Sequence, residues 1–163
     1  MRCLVVDDDP LSRGAIEHYC ELSQHLELVG TCESAVDALN VLNKIKVDII
    51  FLDVEMPEMT GLEMLESMSG TTHPYVILVT GKREYALDAF EYNVIDYLLK
   101  PVDYVRFLKA INKILSQKAK DDGGEENVDN EIFVKSDLKF VKIKFDKILY
   151  VEAMADYVII HLE

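Results

Sequence analysis

Aspartates at 7, 8 and 9 follow one short apolar run and Asp53 ends another, while Thr80 with Gly81 and Lys100 with Pro101 close two more. Carboxylates crowded together from separate segments repel one another, and their pKa values rise unless a cation lies between them. A hard divalent ion with oxygen ligands answers that need, and Mg²⁺ suits a site that keeps waters and awaits a phosphoryl oxygen. Lys100 supplies a positive point charge and Thr80 a hydroxyl, the two groups wanted around phosphoryl oxygens. One carboxylate is then left to act as nucleophile and form an acyl phosphate. Against this stands a plainer reading, in which each acidic residue caps the helix that follows it. Capping is adopted for Asp9, next to Pro10. The coincidence of Asp7, Asp8, Asp53, Thr80 and Lys100 at four of five run ends favours a site.

The elements that must position these residues are legible as two alternating periods. Short apolar or β-branched runs occupy residues 3–6, 26–31, 47–52, 75–80 and 94–99. Between and after them come helical faces: Leu11, Ala15, Ile16 and Tyr19; Ala35, Ala38, Leu39 and Leu42; Leu62, Leu65 and Met68; Tyr85, Ala86, Ala89 and Phe90; Val102, Val105, Leu108, Ile111 and Leu115. Strands alternating with helices imply parallel strands joined by right-handed crossovers, hence an α/β fold with a doubly wound five-stranded parallel sheet. Runs 4–6, 49–52 and 76–79 are apolar throughout, as strands covered on both faces should be. In such a sheet, ligands bind outside the carboxyl ends of the strands, where these polar residues fall if the strand order is flavodoxin-like.

Composition changes near residue 118. Residues 119–131 carry many acids and one basic residue, Lys120, without apolar periodicity, and read as a solvated linker. From 132 the pattern is all-β, in runs 132–135, 140–145, 148–152 and 157–162, with turns at 137–139 and 153–156. The domains are therefore placed at 1–118, 119–131 and 132–163. The last is too short to fold alone and is read as a truncated piece. The net charge of −13, from 17 basic and 30 acidic side chains, speaks against a chain that as a whole wraps nucleic acid or lies on an anionic membrane. By region the net is −7 over 1–120 (12 basic, 19 acidic), −6 over 121–131 and zero over 132–163, so the tail is not constrained by the total. No apolar run approaches a membrane span and no secretory signal is evident, which makes the cytoplasm the default location. Cys3, Cys20 and Cys32, odd in number and without metal-ligand spacing, read as reduced core thiols.

Four stretches, taken in order, resemble the receiver domain of two-component response regulators: residues 6–10 with Asp7 and Asp8, 51–61 with Asp53 and Gly61, 79–81 with Thr80, and 96–101 with Tyr97 and Lys100. The resemblance covers about residues 1–120. It implies a flavodoxin-like fold, and Asp53 as phosphoacceptor for a partner sensor histidine kinase. It further implies Mg²⁺ held directly by Asp8, Asp53 and the backbone carbonyl of Glu55, with Asp7 acting through water. Thr80 would close onto the phosphoryl group, Lys100 would bond its oxygen, Tyr97 would be the aromatic switch, and the Lys100–Pro101 bond would be cis. A homodimer surface is expected from residues 84–93 and the neighbouring strand. Beyond catalysing its own phosphorylation and dephosphorylation, such a domain is not an enzyme.

Residues 132–136, 148–153 and 156–162 resemble the start of a LytTR-type DNA-binding domain, which implies DNA as a partner through the intact output domain. The segment 153–157, corresponding to a DNA-contacting loop of that family, has Asp156 and no Arg or Lys. Lys135, Lys139, Lys142, Lys144 and Lys147 are read as solvating one face of a small sheet. The alternatives are a receiver that serves only phosphotransfer or protein interaction, and a Mg²⁺-dependent phosphohydrolase with Asp53 as nucleophile and Glu55 as general acid. Glu55 and Lys82 depart from the best-studied receivers; either they pair across the pocket, which would hinder the hydrolytic water, or both are solvated rim charges.

Overall fold

The computed structural model describes residues 1–68, 73–82, 84–85, 92, 94–121, 131–136, 139–144, 147–154 and 157–162. Its first unit, Met1–Gln117, contains β1 (Arg2–Val6), α1 (Pro10–Leu22), β2 (Glu27–Cys32), α2 (Ala35–Leu42), β3 (Ile49–Asp53), α3 (Gly61–Ser67), β4 (Tyr75–Thr80), β5 (Asp96–Leu99) and α4 (Tyr104–Asp121), which runs past the unit boundary. The helical face expected around residues 85–90 lies mostly outside the described residues, so α4 is here the last helix. The five strands are parallel in the order β2-β1-β3-β4-β5, with neighbours in register from Cys3↔Ile49 to Thr80↔Leu99.

Period-two alternation divides the strand side chains between two cores. Leu4, Val6, Ile50, Leu52, Val76 and Leu78 face Ala35 and Ala38 of α2 and Met64 and Leu65 of α3. Cys3, Val5, Ile49, Phe51, Ile77 and Val79 face Ile16 and Cys20 of α1 and Phe107, Ala110, Ile111 and Ile114 of α4. β3 is buried along its whole length, as expected of a central strand covered on both faces. The three cysteines are free and buried.

Local signals set the helix starts. Asp9 caps α1, accepting from the Leu11 and Ser12 amides, with Pro10 at the first helical position. Ser34 caps α2 through the Asp37 amide. Thr60 and Glu63 form a reciprocal capping box on α3. Asp103 receives the Arg106 amide at the start of α4. Gly61 is required where α3 begins, because a Cβ there would lie 2.1 Å from the Asp53 carbonyl oxygen. That close approach seats α3 directly behind the end of β3.

Composition ends the first domain before the helix does. α4 continues through Ala119, Lys120 and Asp121, three residues into the segment assigned to a linker, with Lys118 and Lys120 in its last turn where cations suit the helix dipole. Residues 122–130 lie outside the described residues. The second unit, Lys118–Glu163, holds two antiparallel pairs, β6 (Glu131–Ser136) with β7 (Lys139–Lys144) and β8 (Ile148–Met154) with β9 (Tyr157–Leu162). Pairing continues to Ser136↔Lys139 and Met154↔Tyr157, which narrows the turns expected at 137–139 and 153–156.

Candidate functional site

The carboxyl ends of β1 and β3 are adjacent in the sheet, and each delivers acids to one place. Asp7, Asp8 and Asp53 each offer a carboxylate oxygen within 4.8 Å of the others. Asp7 and Asp53 are 2% and 3% exposed, whereas Asp8 faces solvent. From the end of β5, Lys100 reaches back with Nζ 2.7 Å from Asp53 Oδ2 and 2.9 Å from Asp7 Oδ2. Its amide donates to the Thr80 carbonyl at 2.8 Å, which joins the ends of β4 and β5, and the Lys100–Pro101 bond is cis. Thr80 is fully buried, and its hydroxyl accepts the Lys82 amide at 3.1 Å.

Burial pushes the Asp53 carboxyl above the usual carboxylate range; the Lys100 ammonium pulls it back and the Asp7 charge adds to the rise. For Lys100 burial works against the charged form, yet its bonds to Asp53 and Asp7 outweigh this and hold the ammonium above its ordinary value. One ammonium faces three carboxylates, so two negative charges remain over the pocket. That surplus, presented by hard oxygen donors with one carboxylate open to solvent, fits a divalent cation. The opposite charges of Glu55 and Lys82 meet as an ion pair at the rim, so the pairing anticipated from side-chain length is formed. The Glu55 amide also donates to Asp53 Oδ1 at 3.3 Å.

Tyr97 lies on β5, half-buried against the core formed with α2 and α3. The Arg106 guanidinium carbon is 5.9 Å from its ring centroid, and the same side chain donates to the Tyr97 carbonyl. Of the segment expected to form a dimer face, Tyr85 and Tyr92 pack on that core, and residues 86–91 and 93 lie outside the described residues.

Two contributors escape a reading based on strand ends alone. The Ser12 hydroxyl donates to Asp7 Oδ2, and Arg13 Nη1 donates to the Asp7 carbonyl at 2.7 Å. A signal for the second is present: Arg13 is the only Lys or Arg between Arg2 and Lys44, set among acids.

A doubly wound sheet with an acid cluster and a lysine converging on its strand ends defines a class, and the chain belongs to the response regulator receiver domain family, whose pattern it matches over residues 3–112. Among curated relatives it is 36% identical over 122 residues to the transcriptional regulatory protein BtsR of Escherichia coli K12, covering 75% of this chain and 51% of that protein. It is 40% identical over 122 residues to an uncharacterized response regulatory protein of Vibrio parahaemolyticus, covering 73% and 50%. The chain thus spans about half the length of the curated relatives it matches. Among solved structures, the response regulatory domain of protein mrkE from Klebsiella pneumoniae superposes with a TM-score of 0.68 at 29% identity, covering 74% of this chain and 99% of that one. The receiver domain of AraT from Geobacillus stearothermophilus gives 0.65 at 29% identity, covering 74% and 97%. No helix among the described residues is long and apolar enough to cross a membrane.

Proposed function

We propose that this chain is the phosphorylation-controlled half of a cytoplasmic transcription regulator, in which Asp53 takes a phosphoryl group from a sensor histidine kinase. The observation that carries the reading is the contact of Lys100 Nζ with Asp53 Oδ2 inside a cluster of three carboxylates. In the transfer, an Asp53 carboxylate oxygen attacks phosphorus, the phosphorus–nitrogen bond to the kinase histidine breaks, and the imidazole leaves with the bonding pair. Asp8, Asp53 and the Glu55 backbone carbonyl are the candidate direct ligands for Mg²⁺, with Asp7 acting through water. When bound, the ion supplies positive charge to the phosphoryl oxygens. Lys100 passes from the Asp53 carboxylate to a phosphoryl oxygen, and Thr80 turns its hydroxyl from the Lys82 amide to another. Withdrawal of the Thr80 hydroxyl makes room for the half-buried Tyr97 ring to move inward, which alters the surface that β5 shares with residues 84–93. That surface then pairs two copies, and the pairing places two output domains on DNA.

For the output domain, support comes from the antiparallel pairs β6–β7 and β8–β9 and from the transcriptional name of a relative only 51% of which is matched by this chain. The LytTR-type assignment rests on the sequence resemblance of residues 132–162. The test is treatment of this chain with acetyl phosphate and Mg²⁺, followed by intact mass and sedimentation. One phosphoryl group per chain, mapped to Asp53, together with a shift from monomer to dimer is the expected outcome. Dimerisation that persists in Asp53→Ala would overturn the switch, and labelling elsewhere would overturn the acceptor.

A further inference from the structure

We infer that Arg13 is a positioning residue for the cation-binding pocket, acting through the peptide between Asp7 and Asp8; the inference rests on the proposed reading of that pocket as a divalent-cation site. Asp7 is tied at every polar group. Its amide donates to the Cys32 carbonyl at 3.1 Å, and its carbonyl accepts Arg13 Nη1 at 2.7 Å. Its carboxylate accepts the Asp9 amide, the Ser12 hydroxyl and the Lys100 ammonium. Asp8 is the reverse. Its side chain is exposed and has no hydrogen-bond or ion-pair partner among the described residues. With no contact of its own, the Asp8 side chain takes its place from the peptide before it, whose plane holds the Asp8 N–Cα bond. That plane contains the Asp7 carbonyl, which Arg13 holds.

The guanidinium is itself anchored. Arg13 Nη2 lies 2.9 Å from Glu33 Oε1, beyond the end of β2, and Nε lies 3.8 Å from Glu17 Oε1 one turn along α1. The Arg13 side chain is only 13% exposed, while its Glu33 partner reaches in from solvent at 76% exposure. A planar fork with several fixed donors can hold a carbonyl and a carboxylate at once, which an ammonium on a flexible stem does far less well. Glu33, Arg13 and the Asp7 carbonyl thus form a brace from the β2 end to the β1 end. Its effect is to aim Asp8 toward Asp53 before a cation arrives, lowering the ordering needed on binding.

The experiment is calorimetric titration of the whole chain with Mg²⁺ alone, with thermal melts of each variant. Arg13→Ala is expected to weaken Mg²⁺ about tenfold while the chain still melts cooperatively, and Arg13→Lys to recover little of that loss. Glu33→Gln, which leaves Arg13 in place but takes the charge from one of its anchors, is expected to weaken binding about twofold to threefold. An unchanged affinity in Arg13→Ala would overturn the inference, and full recovery by Arg13→Lys would overturn it in favour of charge alone. Should Arg13→Ala not fold, Arg13→Lys and Glu33→Gln decide, and wild-type affinity in both overturns it. Asp8→Ala separates the two levels. If it abolishes binding while Arg13 variants do not alter it, only the brace fails; if Asp8→Ala binds normally, the reading of the pocket fails.

Discussion

Two charged clusters flank β5, and they are built on opposite accounts. At its carboxyl end one ammonium, Lys100, faces Asp7 and Asp53 directly, with Asp8 beside them. At its start Arg106 meets Asp96 in a two-pronged pair at 2.6 and 2.7 Å and spends a further donor on the Tyr97 carbonyl. The two aspartates respond with opposite sign. Burial leaves Asp53 above the usual carboxylate range despite Lys100. Burial pushes Asp96 the same way, but the Arg106 hydrogen bonds and charge outweigh it and hold its carboxyl below that range. A matched pair fastens α4 to the sheet; an unmatched cluster stores repulsion that a bound divalent cation would relieve.

The sharpest way to break this contrast is at the unmatched cluster. Asp53→Asn should abolish labelling by acetyl phosphate, read by intact mass, and should raise the melting temperature of the metal-free protein because one of the crowded charges is gone. A lower melting temperature would show that the cluster is not under repulsion. Next in size is the metal itself. Mg²⁺ at a hundred times its dissociation constant should stabilise the wild type by about 2.7 kcal/mol in chemical unfolding. The same addition should do nothing for Asp8→Ala, and chelation should reverse the effect.

The matched pair gives a smaller response of opposite character. Arg106→Ala removes charge-assisted bonds to a carboxylate with 14% side-chain exposure, and since Arg106 itself is 38% exposed the loss is about 1–2 kcal/mol of unfolding free energy in denaturant titration. The pH dependence has a definite sign. Asp96 is depressed in the folded state, so its contribution is present above the unfolded value of about 3.9 and is lost as pH falls through the lower folded value. Acid unfolding curves of wild type and Arg106→Ala should therefore converge below about pH 4. Curves that remain parallel through that range would mean the pair is structural packing alone.

How far all this was readable in advance depends on where each interaction lives. Strand ends carry their chemistry in sequence order, so Asp7, Asp53, Thr80 and Lys100 could be grouped once five apolar runs implied a parallel sheet. The pairing of Glu55 with Lys82 followed from length and position on neighbouring loops. Arg13 was not legible in this way, because its partner is a backbone carbonyl and a carbonyl leaves no mark on residue type. The same holds for the Arg106 donation to the Tyr97 carbonyl. Helix α4 outran the expected boundary since charged residues suit both a linker and a solvated last turn, and local composition does not separate them. The strand expected at residues 94–99 starts later than its apolar pattern, at Asp96.

The smallest expected effect lies at the rim, where the Glu55–Lys82 pair is half in solvent on both sides. Glu55 raises the Lys82 ammonium above its ordinary value, but so exposed a pair adds little to stability. The consequence expected of it is kinetic. Hydrolysis of an acyl phosphate on Asp53 needs a water in line with the bond to be broken, and two long paired side chains at the rim should restrict that approach. Shortening both in Glu55→Ala with Lys82→Ala should speed loss of the phosphoryl group a few-fold at unchanged melting temperature, followed by intact mass over time. Each single variant should show less, because the remaining chain still occupies the rim. A double variant whose phosphoryl lifetime equals that of the wild type would mean that water reaches Asp53 by another route, and that the rim pair screens nothing.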